Sequence, residues 1–246
     1  MGIVIDAQGM HYRDLNRRLR EAATEGEARF RLVNVNGQRY IGTGLKGDLH
    51  LEICGVPGND LGAFLSGPTI LVRNNAQDAI GNTMDSGSII VKGDAGDVIG
   101  YGMRGGTIFI NGNVGYRVGI HMKAYRQKSP VIVIGGAAGD FLGEYMAGGV
   151  IILLGLSERN GDPLVGNYCA SGMHGGEIYL RGKVDPRHIS PHAKIAQTKP
   201  TQIEHIRPHI AEFCTHFGYD ADKVMGEPFF RLTPVSHRPY GAKYAT

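Results

Sequence analysis

Cysteine is scarce in this 246-residue chain: Cys54, Cys169 and Cys214 stand far apart, odd in number and without a C-x-x-C pair. A disulfide framework and a cysteine-rich zinc or iron–sulfur site are therefore excluded, and a reducing, cytoplasmic setting fits. Surplus charge of one sign is missing too. Twenty-six Lys and Arg against 23 Asp and Glu leave a net charge of +3, whereas binding to nucleic acid needs a concentrated basic face. No apolar run approaches the roughly 18 residues of a membrane span, and Met1–Met10 lacks a signal-peptide core. The expected partners thus include neither nucleic acid nor membrane. The chain also has no G-x-x-x-x-G-K-[ST], no H-E-x-x-H and no G-x-S-x-G. The commonest signatures of phosphate cradles, zinc hydrolases and serine nucleophiles are therefore absent.

What the chain has in excess is glycine. Of 38 glycines, 31 fall between Gly42 and Gly182, whereas 7 of the 11 prolines fall between Pro186 and Pro239. Three segments follow: an N-terminal helix and hairpin cap (1–41), a glycine-rich middle (42–182), and a C-terminal helix with an extended tail (183–246). The middle is too rich in Val, Ile, Leu and Met for a disordered linker, and its glycines do not recur every third residue as in collagen. Instead the segment repeats. Strand-like runs close at Gly55, Asn74, Gly93, Gly112, Gly135, Gly155 and Gly182, the first four 19 residues apart. A second series, Gly62, Gly81, Gly100, Gly119, Gly143 and Gly166, keeps nearly the same step.

Two and four residues before every closing position the side chain is aliphatic, from Leu51 and Ile53 to Ile178 and Leu180. That spacing puts both on one face of a strand. Further inward lines are Leu61, Ile80, Ile99, Val118, Leu142 and Val165, and Leu65, Met84, Met103, Met122, Met146 and Met173. Nineteen extended residues span about 60 Å, too little for a strand–helix–strand unit but enough for one coil stacked ~4.8 Å from the next. The expected fold is all-β, a parallel β-helix of about seven coils. One coil alone cannot hold itself together, but a stack can. Thioethers can ligate copper or haem, yet each Met takes the place Leu65 holds in the first coil, so the ladder reads as flexible core filling. The expectation is no metal, no cofactor and no catalytic residue in this chain.

Other candidate sites read as structural. Gly42–Gly47 and Gly100–Gly105 match G-x-G-x-x-G, but a strand follows the second and both glycine sets belong to the repeat, so no helix is there to meet a pyrophosphate. His188/His192 and His205/His209 sit four apart, with Pro191 and Pro208 interrupting helical geometry. Asp60, Asp78, Asp97 and Asp140 recur beside glycines, which suits the capping of corner amides better than a catalytic carboxylate pair. Asn36-Gly37 predicts a hairpin over Arg29–Gly44.

Function is thus expected on the outside. Three residues before each closing position the series Glu52, Leu71, Ile90, Phe109, Ile132, Ile152 and Tyr179 points outward and is mostly apolar. Something must cover it: a flanking helix, within His11–Ala23 or Gln202–Phe217, or a partner protein. Leu71, Ile90, Phe109, Ile132, Ile152 and Tyr179 are the candidate interface residues. His121, Lys123 and Arg126 join them, from His121–Ser129, a polar insertion in the repeat; Leu156–Pro163 is another.

The phrases Asn75–Met84 (NAQDAIGNTM), Gly96–Gly106 (GDVIGYGMRGG), Gly115–Lys123 (GYRVGIHMK) and Gly139–Gly149 (GDFLGEYMAGG) resemble the GXGXG domain in its glutamate-synthase branch. That domain is the C-terminal β-helix of the glutamate synthase large subunit and also forms one of the subunits of formylmethanofuran dehydrogenase. The resemblance is strong over about 40–182 and implies a right-handed β-helix without catalytic residues of its own. It further implies a stand-alone subunit in a hetero-oligomer, beside a glutamine amidotransferase subunit and a flavin-dependent synthase subunit that carries FMN and iron–sulfur clusters. The chain departs from the fused form in starting Met1-Gly2, without an N-terminal Cys nucleophile. A carbohydrate-active β-helix enzyme is the alternative of another class.

Overall fold

Each aliphatic–x–aliphatic pair of the repeat becomes a short strand, and the strands stack in parallel along one axis. A computed structural model describes residues 2–157 and 162–238. Chain order is β1 (Ile3–Asp6), α1 (Tyr12–Thr24), β2 (Arg29–Asn36), β3 (His50–Val56), β4 (Ser66–Val72) and β5 (Ser86–Val91). Then come β6 (Thr107–Ile110), β7 (Val131–Ile134), β8 (Ala147–Leu153), β9 (Gly175–Arg181), β10 (Ala193–Gln197), α2 (Arg207–Phe217), α3 (Ala221–Met225) and β11 (Phe229–Pro234). Strands β1 to β9 pair in sequence order, all parallel, and β11 and β10 finish the sheet antiparallel. A second line of backbone bridges, Ala76–Ala95–Val114–Ala138–Val165, closes another side of the column. This is the parallel β-helix.

The hairpin expected around Asn36-Gly37 is not there. Strand β2 runs unbroken to Asn36 and pairs in parallel with both β1 and β3. Phe30 and Leu32 lie level with Leu51 and Ile53 and face the core, as do Ile41 and Leu45 beyond the turn. A hairpin would have stranded all four. The stack therefore begins before residue 42. In place of a hairpin, α1 closes the N-terminal end, with Leu15, Leu19 and Ala22 packed on the interior cluster. His11 accepts from the Arg13 amide as its cap, and Asn16 donates to the carbonyls of Tyr12 and Arg39.

Two registers are corrected by the pairing. Ile132 lies level with Ile108, and Ile134 with Ile110, so Ile132 faces inward and Val133 takes the outward place. The closing residue of that coil is Gly136, whose amide donates to Gly112; Gly135 is an extra glycine against which the Phe213 ring packs. Val165 belongs to the Ala76 bridge line. The place after Leu142 goes to fully buried Cys169, and that after Gly143 to Ala170 (φ 62°).

The corners have a fixed grammar. Alternate residues are left-handed, as in Asp60/Gly62/Phe64, Ala79/Gly81/Thr83 and Val98/Gly100/Gly102. The middle residue points into the core, the outer two away from it. At Gly100 (φ 68°) an added Cβ would lie 2.5 Å from Cδ1 of Ile132, one coil further on. Gly100→Ala combines left-handed strain with overpacking and is expected to cost about 2–4 kcal/mol. Gly102→Ala, where an added Cβ would meet only Thr83 Oγ1 at an ordinary 3.8 Å, should cost about 1 kcal/mol. Urea unfolding of the two variants checks the order; equal losses would contradict it.

Candidate interaction surfaces

The interior is filled from end to end. Met84, Met103, Met122, Met146 and Met173 have no exposed surface and pack among the aliphatic lines, in the position of Leu65. Burial pushes the Cys169 thiol up to about 12, which removes it as a nucleophile near neutral pH. Cys54, on β3, and Cys214, on α2, are free thiols, and among the described residues no three His, Cys, Asp or Glu side chains gather as a metal set. No described helix is long and apolar enough to cross a membrane.

Corner acids do structural work. The Asp78 carboxylate accepts from the amide of Asp97, Asp97 from Tyr116 and Asp140 from Asn167 at 2.7–2.9 Å. A parallel ladder runs from Asn75 to the Asp94 amide, from Asp94 to Asn113 and from Asn113 to Ala137. Each side chain thus ties its coil to the next by a hydrogen bond to an otherwise unpaired donor. Asp60 departs from this pattern. It sits one position later, at a left-handed corner (φ 60°), and accepts from the Asn82 amide group.

The outward apolar strip is covered by the chain itself. Ile90, Phe109, Val133, Ile152 and Tyr179 form a second buried cluster with Ile203, Ile206, Ile210, Phe213 and Cys214, from α2 and the segment before it. This excludes Ile90, Phe109, Ile152 and Tyr179 as a free docking surface, and Ile132 is interior. Leu71 packs at the cluster edge, partly exposed. The other expected cover, α1, caps the end instead.

Polar contacts fix this cover. Tyr179 donates to Glu177 at 2.8 Å, and His205 lies 3.1 Å from the Tyr179 oxygen. Arg231 pairs with Glu177 at 3.4 Å. Burial and the adjacent Glu177 carboxylate push the Tyr179 phenol well above its usual range. Arg181 donates to the carbonyls of Val224 and Leu154, and Lys92 to that of His216. Of the other paired histidines, His192 accepts from the Gly172 amide, His209 lies on α2, which Pro208 opens rather than interrupts, and the His188 Nδ1 is buried without a partner among the described residues. Within the extended tail, Phe229–Pro234 is strand β11, paired with β9 and β10; 239–246 lie outside the described residues.

Sequence reasoning named His121, Lys123 and Arg126 but missed the aromatic rows of the exposed corner face. Here Tyr101 sits edge-on to His121, and His121 stacks on Tyr145 at 5.3 Å. Beside them the Arg117 guanidinium lies over Phe141, which stacks on Tyr168 at 5.1 Å. Arg117 also pairs with Glu144, joining the two rows. Tyr101 is 42% exposed and Tyr168 60%. The missed signal is the bulky residue at outer corner positions between glycines. His121, Lys123 and Arg126 are exposed on the same face. The insertion after Met122 is a tight turn in which Tyr125 and Lys128 exchange backbone hydrogen bonds, and Lys128 pairs with Asp85. Of the second insertion, residues 158–161 lie outside the described part.

Known proteins share this architecture. Residues 28–233 match the GXGXG motif family. An uncharacterized protein of Methanocaldococcus jannaschii is 48% identical over 98% of this chain and 96% of its own length. Among solved structures, a chain of the formyltransferase/hydrolase complex FhcABCD from Methylorubrum extorquens, determined with methylofuran, superposes with a TM-score of 0.50 at 20% identity. The match covers 84% of this chain and 73% of that one, a likeness of fold.

The covering helix is separable from the column by mutation. Phe213→Ala is expected to cost about 3–5 kcal/mol and to expose the strip. Increased binding of a hydrophobic dye before global unfolding would report it; an unchanged denaturation midpoint would contradict self-cover.

Proposed function

Because the chain belongs to the GXGXG motif family, we propose that it is a non-catalytic scaffold subunit of a glutamate-synthase-type complex. It links a glutamine amidotransferase subunit to a flavin-dependent synthase subunit, which carries the FMN and iron–sulfur clusters, for glutamate or N-methylglutamate formation in the cytoplasm. The observation that carries this reading is the filled column. Its core is closed by aliphatic side chains and methionines, so what the protein does, it does with its surface. A stacked, hydrogen-bonded column resists bending and holds two bound enzymes at a fixed separation, which lets ammonia pass from one to the other without escaping to water.

The four phrases that resemble the glutamate-synthase branch support the assignment, because they build the corners and their adjoining ladders. The likeness to a chain of the formyltransferase/hydrolase complex favours a second reading, a subunit of formylmethanofuran dehydrogenase type. Purification of the tagged chain from its own cells separates the two. Copurification of an amidotransferase and a yellow flavoprotein at fixed stoichiometry is expected. Molybdenum or tungsten with a formyltransferase would support the second reading, and a chain that purifies alone would contradict both.

A further inference from the structure

We infer that the glycine-corner face is the docking site for an acidic surface of a partner protein subunit. This rests on the scaffold reading and deepens it, by saying where on the column a partner sits. The opposite candidate, the apolar strip on the sheet side, is closed by α2. No described segment covers the corner face, and its composition is that of an interface centre, rich in Tyr and Arg.

Its charge selects the partner. Lys123 donates its backbone amide to Met103, and Arg104 its own to Met84, so the two side chains occupy equivalent places on consecutive coils, beside Tyr101 and His121. Arg126 lies over the Tyr125 ring at the tip of the insertion. None of the three forms an ion pair with a described residue, whereas the neighbouring carboxylates Glu144 and Asp85 are already paired, with Arg117 and Lys128. The face thus presents unpaired cations and no unpaired carboxylate among these groups, and an anionic protein surface complements it.

Ring geometry argues for protein rather than nucleic acid. Single-stranded nucleic acid needs free ring faces on which bases stack. Here His121 and Tyr145 stack on each other, Phe141 stacks on Tyr168, and Arg117 takes the Phe141 face. Ring faces in both rows are thus taken by neighbouring side chains, and the tyrosine hydroxyls suit polar contacts to a folded partner.

The test uses the complex purified from native cells. The triple charge reversal Arg104→Glu/Lys123→Glu/Arg126→Glu should slow reassociation with the partner at least about tenfold at low salt and flatten its salt dependence, with the melting temperature unchanged. Lys183→Glu/Lys194→Glu, at exposed sites near the other end, should leave association intact. Tyr101 and Tyr168 should be protected from hydroxyl-radical labelling in the complex and labelled in the free chain. A complex that forms but ignores the reversal and leaves these tyrosines exposed overturns the docking face while sparing the scaffold reading. Self-association through this face, or a nucleic acid bound to it, overturns it as well. If no partner copurifies, both readings fall.

Discussion

One steric fit governs this molecule: the inward glycine of each corner lies against an isoleucine side chain one coil further along. Gly62 meets Ile89, Gly81 meets Ile108, Gly100 meets Ile132, Gly119 meets Ile151 and Gly143 meets Ile178. The contact requires a left-handed backbone and no Cβ at the same place, so glycine is demanded twice over. From it follow the sharp turn, the level stacking of the strands and the straight interior lines of Ile and Met. Where the rule relaxes, at Ala170, the coil is the last before the sheet turns antiparallel.

The same grammar divides inside from outside. Alternation at the corner sends one residue into the core and its two neighbours to solvent, so each coil supplies both packing and a surface position. On the sheet side the outward residues are apolar, and α2 buries them. On the corner side the later coils carry Arg117, His121, Phe141, Tyr145 and Tyr168, at least partly exposed in two stacked rows. The column thus has one face closed by its own chain and another that no described segment covers. Rigidity comes from the stack, with the Asn75 and Asp78 ladders adding side-chain ties between coils.

The period, the inward lines and the methionine filling were legible from spacing alone, because each depends on identity at fixed intervals. Errors arose where the interval was ambiguous. Gly135 and Gly136 are adjacent, and only the pairing of Ile132 with Ile108 shows which one closes the coil. Gly166 resembles the corner glycine, but a small cysteine and alanine, Cys169 and Ala170, fill the true positions. Asn36-Gly37 is a turn signal that a coil corner satisfies as well as a hairpin does. The self-cover by α2 was one of two open possibilities, since patterning shows that a strip must be covered and not by what. The aromatic rows beside His121, Lys123 and Arg126 went unread because their rings are contributed by different coils, tens of residues apart, and only the stack brings them together.

The most direct measurement is transfer of glutamine-derived nitrogen in a reconstituted complex with and without this chain. The account predicts that the two catalytic partners alone retain glutaminase activity and ammonia-dependent synthesis, while coupled synthesis from glutamine is restored only when the column is added. Undiminished coupling without the column, or turnover by the column alone, would contradict it.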